Sequence, residues 1–116
     1  MKKVLVIDDS ATVRMSVTVA LEGFEVLQAS NGLEGAELLE SRSDIDLAFC
    51  DVNMPKMNGL EMLERVQGQV ETPIVMLTTE GQPEMVRKAK RLGAKGWVVK
   101  PFDARQLLAA ARKLAS

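Results

Sequence analysis

Apolar residues in this chain fall into five short runs, most of which stop abruptly at a polar or charged residue. Val4 to Ile7 is continuous and β-rich, and it ends at Asp8-Asp9. A second run covers Phe24 to Ala29. Leu47 to Cys50, Ile74 to Leu77 and Gly96 to Val99 come next, ending at Asp51, at Thr78-Thr79 and at Lys100. The unbroken Val4–Ile7 run is the mark of a strand covered on both faces, and the other four also read as strands.

Between the runs the period changes. Ser10 is a natural N-cap, and Val13, Val17, Ala20, Leu21 and Phe24 share one helical face, predicting a helix to about Gly23. Val13, Met15, Val17 and Val19 also alternate with polar residues in a strand period. The cap, the length and the need for a crossover favour helix. Asn31-Gly32 predicts a turn, and Gly35 to near Ser43 a second helix. A short helix, Leu60 to Val66, comes after Asn58-Gly59, with Leu60, Met62 and Leu63 facing inward. Gly81 and Pro83 precede a helix holding Met85, Val86, Ala89 and Leu92, which Gly93 terminates. Asp103 caps a last helix whose apolar face is Leu107, Leu108, Ala111 and Leu114.

Five strands strictly alternating with five helices predict a doubly wound α/β domain with a parallel sheet and right-handed crossovers. For an open five-stranded sheet the leading expectation is the flavodoxin-like (βα)5 order 2-1-3-4-5. Its crevice lies at the carboxyl ends of strands one and three. Those ends carry Asp8-Asp9 and Asp51.

Bulk properties narrow the function classes. At 116 residues the chain has room for one core, so a single domain over residues 1–116 with no output domain is expected. A net charge of −1 gives no global attraction to nucleic acid or membrane. One cysteine, Cys50, makes no internal disulfide and fits a reducing cytoplasm. The N-terminal apolar run is too short for a signal-peptide core or a membrane span. The absence of histidine removes His-based triads, imidazole metal sites and an internal phosphohistidine.

Three carboxylates gathered at one sheet edge repel one another and call for a cation. An oxygen-only ligand set favours a hard divalent ion, and Mg²⁺ is the best match. Lys100 brings a compact positive charge suited to a phosphate oxygen, and Thr78 a hydroxyl able to donate to the same group. Taken singly, these residues also read as a helix cap, a solvated lysine and a turn. Their coincidence at one edge is the informative feature.

That combination resembles the receiver domain of two-component response regulators, most closely the stand-alone chemotaxis regulators of the CheY type. The resemblance covers essentially the whole chain. It is carried by Asp8-Asp9, by Asp51 with the following Met54-Pro55 and Asn58-Gly59, by Thr78, and by Lys100-Pro101-Phe102. It implies that Asp51 accepts a phosphoryl group from a histidine kinase, with Mg²⁺ held by Asp9, Asp51 and the Asn53 backbone carbonyl. Asp8 would act mainly through metal-bound water, and Lys100 would bind the phosphoryl group. Thr78 and Trp97 would form the switch, with an indole where family members often carry Tyr or Phe. Asn53 and Glu80 would tune dephosphorylation. The Lys100-Pro101 bond is cis in the family.

The same resemblance implies a cytoplasmic, monomeric signalling switch whose only chemistry is on itself, and not an enzyme in the ordinary sense. A downstream target protein would dock on the face of the fourth helix, fifth strand and fifth helix. A flagellar-motor switch protein is the family expectation. Arg87, Lys88, Lys90, Arg91 and Lys95 make that region basic, which reads either as a solvated helix face or as a docking patch. Nucleic acid is disfavoured, because aromatics do not interleave with the charges. Cys50 is expected in the core.

Other readings compete. A phosphorelay intermediate or phosphate sink would use the same chemistry. A haloacid-dehalogenase-type phosphatase also uses an aspartyl nucleophile with Mg²⁺, but wants a second Asp where this chain has Asn53. A flavin carrier would want a hydroxyl-rich loop and more than 3% aromatics. A pseudo-receiver would not need the acidic pair, Asp51, Thr78 and Lys100 together.

Overall fold

The first strand, β1 (Lys3–Ile7), lies inside the sheet between two neighbours, and its last four residues are essentially inaccessible to solvent. In the computed structural model, which describes residues 1–115, five strands alternate with five helices. The elements are β1, α1 (Ala11–Ala20), β2 (Glu25–Ala29), α2 (Gly32–Ser41), β3 (Leu47–Cys50), α3 (Gly59–Val66), β4 (Ile74–Thr78), α4 (Pro83–Arg91), β5 (Gly96–Val99) and α5 (Ala104–Leu114). All neighbours pair parallel, in the order β2-β1-β3-β4-β5. The predicted doubly wound, flavodoxin-like architecture is therefore the one observed.

Strand alternation divides the core into two layers. Val4, Val6, Leu47, Phe49, Val75 and Leu77 face one side, with Val17 and Leu21 at α1 and Leu107 of α5. Leu5, Ile7, Ala48, Cys50 and Met76 face the other, with Leu39 of α2, Met62 of α3 and Ala89 of α4. Covering both faces is what makes β1, β3 and β4 read as unbroken apolar runs. Cys50 lies in the core, as expected; burial pushes its thiol pKa up, and the nearby carboxylates of Asp51 and Asp8 push the same way.

Three helix boundaries differ from expectation, one of them the end of α2, at Ser41 rather than near Ser43. The first helix ends at Ala20 rather than near Gly23, because Leu21 is its C-cap and Gly23 adopts a positive φ in the turn beyond it. Asn31-Gly32 is not a free turn but the start of α2: the Asn31 side chain accepts the Glu34 N–H and caps the helix, so α2 opens three residues earlier than Gly35. Ser10 and Asp103 cap α1 and α5 as predicted. In α3, Met62 and Leu63 are buried while Leu60 is only partly so.

Strand register aligns the ends of the sheet. Ile7 lies opposite Cys50, Cys50 opposite Met76, and Thr78 opposite Val99. The next residues along the first, third and fifth strands are Asp8, Asp51 and Lys100. All three leave the sheet at its carboxyl edge.

Candidate functional site

Asp8 and Asp51 are side by side because the Asp51 N–H donates to the carbonyl of Ile7 at 3.0 Å. Both carboxylates are buried, at 1% and 8% exposure, whereas Asp9 is exposed. Asp8, Asp9 and Asp51 each bring a carboxylate oxygen within 4.8 Å of the other two. Such a set is not stable on its own charge. Lys100 supplies the counter-charge: its Nζ donates to Asp8 Oδ2 at 2.7 Å and to Asp51 Oδ2 at 3.1 Å. Burial disfavours the ammonium, but the hydrogen bonds to Asp8 and Asp51 outweigh it, so the Lys100 pKa lies above its ordinary value.

Local backbone geometry locks each carboxylate. Asp8 Oδ1 accepts the Ser10 N–H at 2.9 Å, and Asp51 Oδ1 accepts the Val52 N–H at 2.7 Å. The Lys100-Pro101 peptide is cis, as the family resemblance implied, and the Lys100 N–H donates to the Thr78 carbonyl at 2.8 Å. Glycine at 59 is required by proximity, since a Cβ there would collide with the Asp51 carbonyl oxygen. A capping box between Asn58 and Glu61 then starts α3 directly beneath the site.

Thr78 is fully buried at the end of β4, and its Oγ1 accepts the Glu80 N–H at 3.2 Å. Asn53 and Glu80, two residues beyond Asp51 and Thr78, meet each other: Asn53 Nδ2 donates to Glu80 Oε1 at 2.9 Å. Trp97 is partly buried against the core layer that holds Cys50, and its Nε1–H donates to the Glu80 carbonyl at 2.8 Å. The indole N–H is thus bonded inside the molecule.

Sequence reasoning missed one cation. Arg14, on α1, donates from Nη1 to the Asp8 carbonyl at 2.6 Å and from Nε to Gln28 Oε1 at 3.0 Å, tying the acidic loop to α1 and β2. Its position on the helix gave no sign of this, because the partner is a backbone oxygen set by tertiary packing. Arg87, Lys88, Lys90, Arg91 and Lys95 are all exposed on α4 and its exit.

The donor set fits a hard divalent cation. Three carboxylates supply only oxygen, and the single thiol, Cys50, is buried behind the strand. A parallel sheet with an acidic pair, a buried carboxylate and a lysine at its carboxyl edge puts this charged cluster in the crevice where doubly wound α/β domains bind their ligands.

Comparison with known proteins specifies the class. Residues 4–112 match the family described as response regulator receiver domain. Chemotaxis protein CheY1 of Helicobacter pylori is 41% identical over 106 residues, which cover 86% of this chain and 86% of its own. The CheY homolog of Campylobacter jejuni is 39% identical over 106 residues, 86% of this chain and 82% of its own. The solved structure of Vibrio cholerae CheY4 superposes with a TM-score of 0.88 at 40% identity, covering 98% of each chain. This chain belongs to the response regulator receiver domain family and is CheY-like within it. Receivers of this kind are signalling switches of two-component systems, not classical enzymes. Among the described residues no helix is long and apolar enough to cross a membrane.

Proposed function

We propose that this chain is a phosphorylation-activated switch in which Asp51 accepts a phosphoryl group from a histidine kinase. The observation that carries the reading is the joint contact of Lys100 with Asp8 and Asp51 inside an all-oxygen acidic cluster. Mg²⁺ would be held by Asp9, Asp51 and the Asn53 backbone carbonyl, with Asp8 acting through a bound water. When bound, the ion neutralises charge on the acceptor and on the incoming phosphoryl oxygens.

Asp51 attacks as a carboxylate. Its Oδ1 is held by the Val52 N–H, which leaves Oδ2, now facing Lys100, to bond phosphorus as the bond from phosphorus to the kinase's histidine nitrogen breaks and the imidazole leaves with the electron pair. Lys100 follows the negative charge onto the transferred group and keeps its contact with Asp8. Transfer adds roughly −1.5 to −2 charges at this spot, by analogy with hydroxyl phosphorylation. Thr78 then turns its hydroxyl from the Glu80 N–H toward the phosphoryl oxygens, and the Trp97 ring settles toward the space behind it while its N–H stays on the Glu80 carbonyl. Asn53 and Glu80, joined across the two loops, set how quickly water removes the group.

The altered surface is read by a partner on the α4–β5–α5 face, where the exposed cations of α4 complement an acidic partner surface. The names of the relatives, both chemotaxis proteins, favour a role in chemotaxis, and a flagellar-motor switch protein is the target that the family resemblance implies. A cytoplasmic, monomeric switch is the corresponding setting. A phosphorelay or phosphate-sink role would use the same site. A phosphatase is disfavoured by Asn53, whose amide is bonded to Glu80 and has no acid proton to give. The test is intact mass after incubation with Mg²⁺ and acetyl phosphate: one added phosphoryl group on the wild type, none on Asp51→Asn. Equal uptake by both proteins would overturn the assignment of Asp51.

A further inference from the structure

Three hydrogen bonds converge on Glu80, in a four-residue connection between β4 and α4. Its N–H donates to Thr78 Oγ1 at 3.2 Å, its carbonyl accepts the Trp97 indole N–H at 2.8 Å, and its carboxylate accepts from Asn53 at 2.9 Å. The first two fix the backbone of Glu80. The third joins the loop after β4 to the loop after β3, two residues past Asp51. Gly81 comes directly after it and is exposed, so an unanchored Glu80 would sit in a permissive segment.

We infer that Trp97 is a positioning residue for Glu80: its indole N–H holds the Asn53–Glu80 bridge closed beside Asp51 and slows loss of the phosphoryl group. This rests on Asp51 being the acceptor. The reaction being slowed is hydrolysis. Water oxygen bonds to phosphorus, the bond from phosphorus to the Asp51 oxygen breaks, and the carboxylate leaves with the electron pair. Inorganic phosphate is released and the water's proton goes to solvent. That water must enter in line with the leaving Asp51 oxygen, and the loops after β3 and β4 are joined at the solvent-facing side by the Asn53–Glu80 bond.

The three anchors are not equivalent. When Thr78 turns its hydroxyl to the phosphoryl group, the Glu80 N–H loses its partner. The Trp97 bond is then the remaining anchor seen for the Glu80 backbone. The lock therefore falls to the indole in the form of the protein that carries the phosphoryl group. Phenylalanine would fill much of the same space but has no donor; tyrosine has one at its hydroxyl.

The experiment follows decay of the phosphoryl adduct by intact mass after the donor is removed, with Mg²⁺ kept constant. Wild type, Trp97→Phe and Trp97→Tyr are compared, each also in a Glu80→Ala background. Losing the N–H should speed decay roughly two- to tenfold, the rate equivalent of one ordinary hydrogen bond. Trp97→Tyr should restore most of the lifetime. In Glu80→Ala, which lacks the bridge, Trp97→Phe should add nothing. Decay that is unchanged or slower in Trp97→Phe, or equally accelerated in the Glu80→Ala background, overturns the inference while leaving Asp51 as acceptor. A wild type that takes up no phosphoryl group overturns both. Trp97→Met, a second side chain without a donor, replaces Trp97→Phe if that variant does not fold.

Discussion

Lys100 Nζ stands 2.7 Å from Asp8 Oδ2, joining residues 92 positions apart in sequence, and the same ammonium reaches Asp51 Oδ2 at 3.1 Å. One cation therefore serves two buried carboxylates. Removing it leaves them uncompensated, so Lys100→Met should cost about 3 kcal/mol in chemical denaturation without divalent ions. Added Mg²⁺ should return part of that loss by binding only the folded form. The Lys100 pKa is raised in the folded protein, so its stabilising contribution is complete below the ordinary value of 10.5 and fades as pH rises through the higher folded-state value. An alkaline unfolding series comparing wild type with Lys100→Met should show the two curves converging only at high pH.

Asp51→Asn should act in the opposite direction. It removes one of three clustered carboxylates while keeping an oxygen to accept the Val52 N–H. Without Mg²⁺ the variant should be more stable than wild type by about 1 kcal/mol, a functional site relieved of its repulsion. With Mg²⁺ at saturation the order should reverse or close. Parallel urea titrations with and without the ion read both halves.

Gly59 lies against the acceptor's own backbone. A Cβ at that position collides with the Asp51 carbonyl oxygen and crowds the Met76 methyl group at 2.9 Å. Gly59→Ala should therefore cost about 2–3 kcal/mol by overpacking, against the small gain alanine normally brings to a helix. Thermal unfolding and Mg²⁺ binding should both suffer, since the strain falls on the residue that carries the acceptor.

Lys56 is the one non-glycine residue with a positive φ, 67°, among the described residues, and it is exposed in the β3–α3 loop. Lys56→Gly should stabilise the fold by about 1 kcal/mol, because the left-handed conformation penalises a side chain there. Urea midpoints report the gain. A loss would mean that the lysine makes compensating contacts.

The strands were legible because burial on both faces leaves a one-residue signal at each end: an apolar run that stops at Asp8, at Asp51 or at Thr78. From those stops and the strict alternation, the position of the site at the carboxyl edge could be deduced. The first helix was ambiguous because Met15 and Val19 extend the apparent strand period; both prove to be solvent-exposed, at 62% and 71%, so the helical face was the meaningful pattern. Asn31-Gly32 resembled a turn because a helix N-cap and a turn favour the same residues. Side-chain pairings were not readable. The bonds from Arg14 to the Asp8 carbonyl and from Trp97 to the Glu80 carbonyl join elements through backbone oxygens, which carry no residue-type signal.

The acceptor itself can be identified chemically. Borohydride reduces an aspartyl phosphate to homoserine, so treating the protein after Mg²⁺ and acetyl phosphate, then sequencing its peptides, marks the residue that carried the group. Homoserine at position 51 alone is the predicted result. Homoserine at position 8 or 9, or at none despite a phosphoryl adduct in the intact mass, would contradict Asp51 as the phosphoryl acceptor.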